Sequence, residues 1–271
     1  MLPRILVGIV GVPLLLLIAL VFPPVCTVVF LAALCGLAVH ECMWATGEVH
    51  HKGLVGLSAV TAVLVPFWYH FGMSTTVGFT ALFLFFVALN IMAIRSDHDI
   101  RFGHMGIAVY AALMIPGMLS SLVLLRDMDR GPFFVLLPFV AAFSSDIFAL
   151  VAGMNFGKHP LAPKLSPKKT VEGSVGGLAG ASVMCLLYGV IVQSVWGGAA
   201  NLPLLFVFGL AGSAVAQLGD LSFSYIKREC GIKDYGHLLP GHGGVLDRFD
   251  SVIFCAPFTY TVLRLVTLLR F

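Results

Sequence analysis

Residues 132–153, PFFVLLPFVAAFSSDIFALVAG, are an apolar stretch long enough to cross a bilayer core as one helix, and they contain a single ionisable group, Asp146. The rest of the chain has the same character. Of its 271 residues, 59% are hydrophobic and 11% charged, and the mean hydropathy is +1.00, far above what a water-facing surface carries. Similar stretches bounded by charge, Pro and Gly lie at 5–22, 25–39, 53–70, 74–94, 104–125, 174–196, 202–224 and 249–269. The expected fold is therefore all-α: a polytopic integral membrane protein of about nine transmembrane helices, with no room for a separate soluble domain. Pro23-Pro24 alone separates the first two stretches, and reading them as one interrupted region lowers the count to eight.

Basic residues orient this map through the positive-inside rule. With nine spans, Arg4, Lys52, Arg95, Arg101, Lys158, Lys164, Lys168, Lys169, Lys227, Arg228, Lys233 and Arg248 share one side, twelve in all; Arg126, Arg130, Arg264 and Arg270 lie on the other. The larger group marks the cytoplasmic face and places the protein in the cytoplasmic (inner) membrane as a multi-pass protein. Connections before residue 140 are brief. Those at 154–173 and 225–248 are longer, rich in Gly, Pro, Lys and Asp, and open onto the same face. The chain divides accordingly into N-terminal helices at 1–130, about five spans, and a catalytic region at 131–271.

Composition excludes several classes. A net charge of +3 gives no basic face for nucleic acid. The six cysteines mostly lie inside apolar runs and form no C-x-x-C pair, so neither a disulfide framework nor a zinc site is indicated. Arg4 before a long apolar run resembles a signal peptide, but no small-residue cleavage site follows and the segment reads as a retained first span. A transporter would carry polar interruptions in both halves; here the charge sits in one half.

Ionised carboxylates inside spans are costly and mark functional candidates. Asp146 is one, and Asp220, in QLGDL at 217–221, is another. Asp247 and Asp250, three apart at the start of the last helix, share one face, and their mutual repulsion is relieved by a hard divalent cation such as Mg²⁺. Cations and backbone donors lie nearby. SPKKTVEG at 166–173 opens the seventh span with Lys168 and Lys169; Lys227-Arg228 and Lys233-Asp234 follow, then the glycine-rich Gly241-His242-Gly243-Gly244. Acids for a metal combined with cations and N–H groups for phosphates are what phosphoryl or nucleotidyl transfer requires. The residues alone indicate metal-dependent transfer involving a membrane-embedded phosphorylated substrate.

Residues 224–250, SYIKRECGIKDYGHLLPGHGGVLDRFD, also resemble the signature of the phosphatidate cytidylyltransferases (CDP-diacylglycerol synthases). Ser224, Lys227, Arg228, Lys233, Asp234, His242, Gly243, Gly244, Asp247, Arg248 and Asp250 occupy the fixed positions of its S-x-x-K-R, K-D and H-G-G-x-x-D-R-x-D elements. Gly219-Asp220-Leu221 and residues 166–173 extend the likeness over about 140–255. The resemblance implies that CTP and phosphatidic acid react to give CDP-diacylglycerol and pyrophosphate at the cytoplasmic face, with Mg²⁺ required. On that basis Asp220, Asp247 and Asp250 are expected to ligate one or two cations, with Asp146 supporting. Lys227, Arg228, Lys233, Arg248 and the His242-Gly243-Gly244 loop would neutralise the triphosphate. Lys168 and Lys169 would hold the lipid phosphate, and Ser166 and Ser224 would donate hydrogen bonds. The same charged face would serve a CTP-dependent enzyme acting on another lipid phosphate. Glycines from Gly173 to Gly180 permit close helix packing within or between chains, compatible with a homodimer.

Overall fold

The computed structural model describes residues 11, 13–45, 51–96, 99–236, 238 and 243–270. Seven helices among them are long and apolar enough to cross a membrane, so the protein is an all-α polytopic membrane protein. By internal contacts the chain forms two compact units, Met1–Asp127 with Glu229–Arg248, and Met128–Arg228 with Phe249–Phe271.

The first unit holds α1 (Pro24–Ala45), α2 (Lys52–Phe71) and α3 (Thr75–Arg95), followed by a span running from Phe102 to Arg126. Lipid offers apolar side chains the same environment as a neighbouring helix, so close packing rather than hydrophobicity decides which faces meet. Gly36 on α1 meets Val63 of α2, where an added Cβ would lie 2.9 Å from Val63 Cγ2. Gly78 of α3 leaves room for the Trp68 ring of α2. Most of α3 stays exposed, including Phe79, Phe83 and Leu84, as a lipid-facing helix requires.

The fourth span is not the uninterrupted helix expected at 104–125. It consists of α4 (Phe102–Val109), a π-helical turn (Tyr110–Met114), α5 (Ile115–Leu119) and α6 (Ser121–Arg126). Pro116 lacks the N–H that would bond one turn back, and the wider turn before it absorbs that loss. At the end of this span Arg126, buried, donates from Nη2 to the Phe22 carbonyl at 2.8 Å, ahead of the break at Pro23-Pro24. Arg126 thus serves as an internal anchor, which accounts for a basic residue on the side otherwise poor in them.

The second unit holds α7 (Gly131–Phe156), α8 (Val171–Trp196), α9 (Leu202–Glu229) and, from Phe249 on, α10 (Leu246–Leu265). Gly173, Gly176, Gly177 and Gly180 press against α7, an added Cβ at Gly173 lying 2.8 Å from the Ala149 carbonyl. The glycine run is therefore used within the chain. Gly209 on α9 likewise meets the α8 backbone at Ala181 and Ser182, and Tyr188 donates to the Phe133 carbonyl at 2.7 Å. The connection read as a loop contains an antiparallel hairpin, β1 (Pro160–Ala162) with β2 (Ser166–Thr170). Pro160, Pro163 and Pro167 exclude helix there but are tolerated in short strands with open edges. Thr170 then caps α8, its Oγ1 accepting from Gly173 N at 3.1 Å. A second small pairing joins β3 (Ala199–Ala200) to β4 (Leu269–Arg270).

Of the nine expected spans, the seven recognised helices match seven within a few residues. The first, 5–22, falls partly outside the described residues, which are helical over 13–20. The last corresponds to α10, which carries Asp247, Arg248, Asp250 and Arg264 and is not among the seven.

Candidate functional site

In the second unit, several of the side chains expected to bind ligands gather where α7, α9, α10 and the hairpin meet. Gly219 brings α9 against the α10 backbone: an added Cβ would lie 2.8 Å from the Asp250 carbonyl and 3.0 Å from the Phe254 ring. The next residue, Asp220, is thereby delivered beside Asp250, which also lies in electrostatic range of Lys227 and Asp146. Asp250 is buried, and its Oδ1 accepts from Ser251 N at 2.7 Å. Asp220 Oδ2 forms an ion pair with Lys169 Nζ from β2, and its Oδ1 accepts from Ser224 Oγ at 3.4 Å. Lys227 is buried, one turn beyond Phe223 and Ser224. Arg228 donates from Nε to the Leu165 carbonyl at 3.0 Å and ties the end of α9 to the hairpin turn.

Lys168 and Lys169, adjacent in β2, have different surroundings. Successive strand residues point to opposite faces; Lys169 reaches Asp220 while Lys168 is exposed. Ser166 begins the same strand, half-buried. Asp146 lies at an exposed position on α7, next to buried Ser144 and Ser145.

Two supporting groups were not singled out as site residues in the sequence. Gln217, one turn before Asp220, donates from Nε2 to Ser145 Oγ, Ser213 Oγ and the Ser174 carbonyl at 3.1–3.3 Å, and accepts from Ser174 Oγ at 2.5 Å. It joins the helices that carry Asp146, Asp220 and the start of α8. Its signal was a polar amide inside an apolar span. Glu172 accepts from Lys158 N and His159 N at 3.1 and 3.2 Å and pairs with His159 Nδ1 at 2.6 Å, which closes the base of the hairpin.

In the first unit the described part of the connection before α10 closes on Asp247. Asp247 Oδ2 accepts from Tyr235 N at 2.8 Å and Gly244 N at 3.0 Å. Gly243 makes this approach possible: its φ of 82° is a conformation that side-chain-bearing residues rarely adopt. Tyr235 is buried, and burial, reinforced by Cys42, holds its phenol well above its ordinary pKa; it packs as a neutral ring. Lys233, Asp234 and Arg248 are exposed. His242 lies outside the described residues.

Among the described residues no three acidic, histidine or cysteine side chains are drawn together tightly enough to hold a metal ion by themselves. Asp220 and Asp250 nonetheless offer hard oxygen donors on adjoining helices with Asp146 in electrostatic range. That donor set fits Mg²⁺, which takes one or two carboxylates and completes its shell with water and substrate phosphate.

Comparison with known proteins places the chain in a family. A model of the cytidylyltransferase family matches residues 2–266. The phosphatidate cytidylyltransferase of Bacillus subtilis (strain 168) is 34% identical over 219 residues, covering 79% of this chain and 78% of the relative. That of Rickettsia felis is 34% identical over 205 residues, 74% of this chain and 88% of the relative. That of Rickettsia bellii is 35% identical over 186 residues, 66% and 80% of the two chains. With a match running almost from end to end, the chain belongs to the cytidylyltransferase family.

Proposed function

We propose that this protein is a phosphatidate cytidylyltransferase: it transfers the cytidylyl group of CTP to phosphatidic acid, giving CDP-diacylglycerol and pyrophosphate, at the cytoplasmic face of the inner membrane. The observation that carries the reading is the meeting of Asp146, Asp220, Asp250, Lys169 and Lys227 in one unit of a chain that has little other charge. Relatives named for this activity support the choice of substrates.

A phosphate monoester is largely dianionic near neutral pH, so the lipid phosphate oxygen is itself the nucleophile. It attacks the α-phosphorus of CTP in line; one P–O bond forms as the bond to pyrophosphate breaks. The protein's task is positioning and charge neutralisation. Lys169, with Ser166 at the start of its strand, holds the phosphatidate phosphate, and Lys168 approaches from the outer face of the strand. Exposed apolar side chains on α7, among them Ile147, Leu150, Val151 and Met154, leave the acyl chains in lipid. Lys227 and Arg228, with Ser224 donating, neutralise the nucleotide phosphates, and Lys233, Asp234, Arg248 and the His242-Gly243-Gly244 loop receive the triphosphate. Asp220 and Asp250, supported by Asp146, are the residues that would hold Mg²⁺, and Asp247 is the candidate for a second cation. When bound, the ion neutralises charge on the phosphate oxygens.

Purified protein in detergent is expected to incorporate labelled CTP into chloroform-extractable lipid only when phosphatidic acid and Mg²⁺ are both present. Turnover with a different lipid phosphate but none with phosphatidic acid would overturn the substrate assignment, and turnover undiminished by chelation would overturn the metal. The same reading includes a homodimer, tested by the mass of the detergent-solubilised protein.

A further inference from the structure

The connection that precedes α10 is shaped by a residue far away in the chain. Glu41, on α1, is 7% exposed, yet both of its carboxylate oxygens are satisfied. Oε1 accepts from Val245 N at 3.0 Å and Oε2 from Leu246 N at 2.9 Å. These amides stand at the start of α10, where backbone N–H groups have no partner within the helix and the helix dipole favours an anion. Glu41 is a helix cap supplied from some two hundred positions away.

The glycines beside it are matched to that carboxylate. An added Cβ at Gly236 would lie 2.6 Å from Glu41 Oε1, and one at Gly244 would lie 2.5 Å from Glu41 Oε2. The carboxylate is held by two hydrogen bonds and cannot swing aside without losing them. Only glycine lets the backbone close around it on both sides. Glu41 and Asp247 together accept four amides of this connection, those of Tyr235, Gly244, Val245 and Leu246. Without Glu41 two of those buried donors have no acceptor, and Asp247 alone would hold the entry to the helix.

We infer that Glu41 is a positioning residue for the transfer reaction: it sets the backbone around Gly244 and the first turn of α10, and through them the placement of Asp247 and Arg248 toward CTP. The inference rests on the reading of the site under Proposed function. It assigns a role in the chemistry to the N-terminal helices, which carry none of the signature residues.

The test pairs hydrogen exchange with kinetics in the full-length protein. Glu41→Gln keeps the length of the side chain but turns an N–H₂ toward one of the two amides. Exchange across 243–250 is expected to quicken in this variant. Its kcat/KM for CTP should fall about tenfold or more, as for a misplacement of a fraction of an ångström, while KM for phosphatidate stays unchanged. Wild-type exchange at Val245 and Leu246 overturns the inference. So does faster exchange with unaltered CTP kinetics, which would make the contact purely structural. If Glu41→Gln does not insert, Gly244→Ala strikes the same contact from the opposite side and is held to the same outcomes. Should the wild-type protein fail to use CTP at all, the functional reading falls and the positioning role with it, whereas the exchange result still reports on the cap.

Discussion

Replacing Gly219 by alanine puts the geometry of the acidic cluster to a direct test. The new Cβ would lie 2.8 Å from the Asp250 carbonyl, 3.0 Å from Phe254 Cδ2 and 3.1 Å from Phe254 Cβ. Ordinary contact begins at 3.4 Å, so the shortfall at the carbonyl is about 0.6 Å. None of these atoms is the far end of a flexible side chain. The remedy is for α9 and α10 to part by roughly that distance, which separates Asp220 from Asp250. A misplacement of about 1 Å at a reacting centre costs on the order of 10²-fold in rate, so about 0.6 Å corresponds to roughly tenfold or somewhat more. The overpacking itself costs about 1–3 kcal/mol of stability. The assay is CTP-dependent formation of chloroform-soluble product at saturating substrates, with Gly117→Ala as control, since a Cβ there meets nothing within 4 Å. Wild-type kcat in a folded Gly219→Ala protein would refute the claim that this contact sets the spacing of the two carboxylates.

Three further outcomes are expected. Asp247→Asn should eliminate turnover while the protein still inserts and elutes as the wild type does in detergent; normal turnover would remove Asp247 from the site. Gln217→Leu breaks three hydrogen bonds that join α9 to α7 and α8 and a fourth within α9; at about 0.6 kcal/mol each within a membrane, thermal unfolding should shift by about 2 kcal/mol, and an unmoved midpoint would show the network to be dispensable. Lys169→Ala should raise KM for phosphatidate more than KM for CTP, because Lys169 belongs to the hairpin assigned to the lipid phosphate; the reverse order would exchange the two substrates between the lysines.

Spans were legible because an apolar run flanked by charge has one low-energy placement in a bilayer, and the match from α1 to α9 follows from that. The π-helical turn at Tyr110–Met114 was not, since Pro116 is compatible with a plain kink or with a wider turn, and packing selects between them. Asp146 and Asp220 stood out from the sequence because a carboxylate in an apolar run has no inexpensive explanation. The opposite facing of Lys168 and Lys169 depended on β2, and a five-residue strand bracketed by prolines gives little periodic signal. Glu41 escaped notice for a different reason. It lies at the end of an apolar helix, where an acid reads as an ordinary boundary charge, and its partners are 204 and 205 residues away.

The acids of this chain divide by what offsets their charge. Glu41 and Asp247 are held by backbone N–H groups, whose dipoles are part of the fold and cannot leave. Asp220 and Asp250 instead have lysines for neighbours, Lys169 in direct contact and Lys227 in electrostatic range. An ammonium on a long flexible stem can move when a phosphate competes for it, and the carboxylate it releases can then take another cation. Ligand exchange is therefore open to the second pair and much more restricted for the first. On the proposed reading, Asp220 and Asp250 exchange a lysine for a cation, while the amides on Asp247 Oδ2 fix where that carboxylate would present a second one.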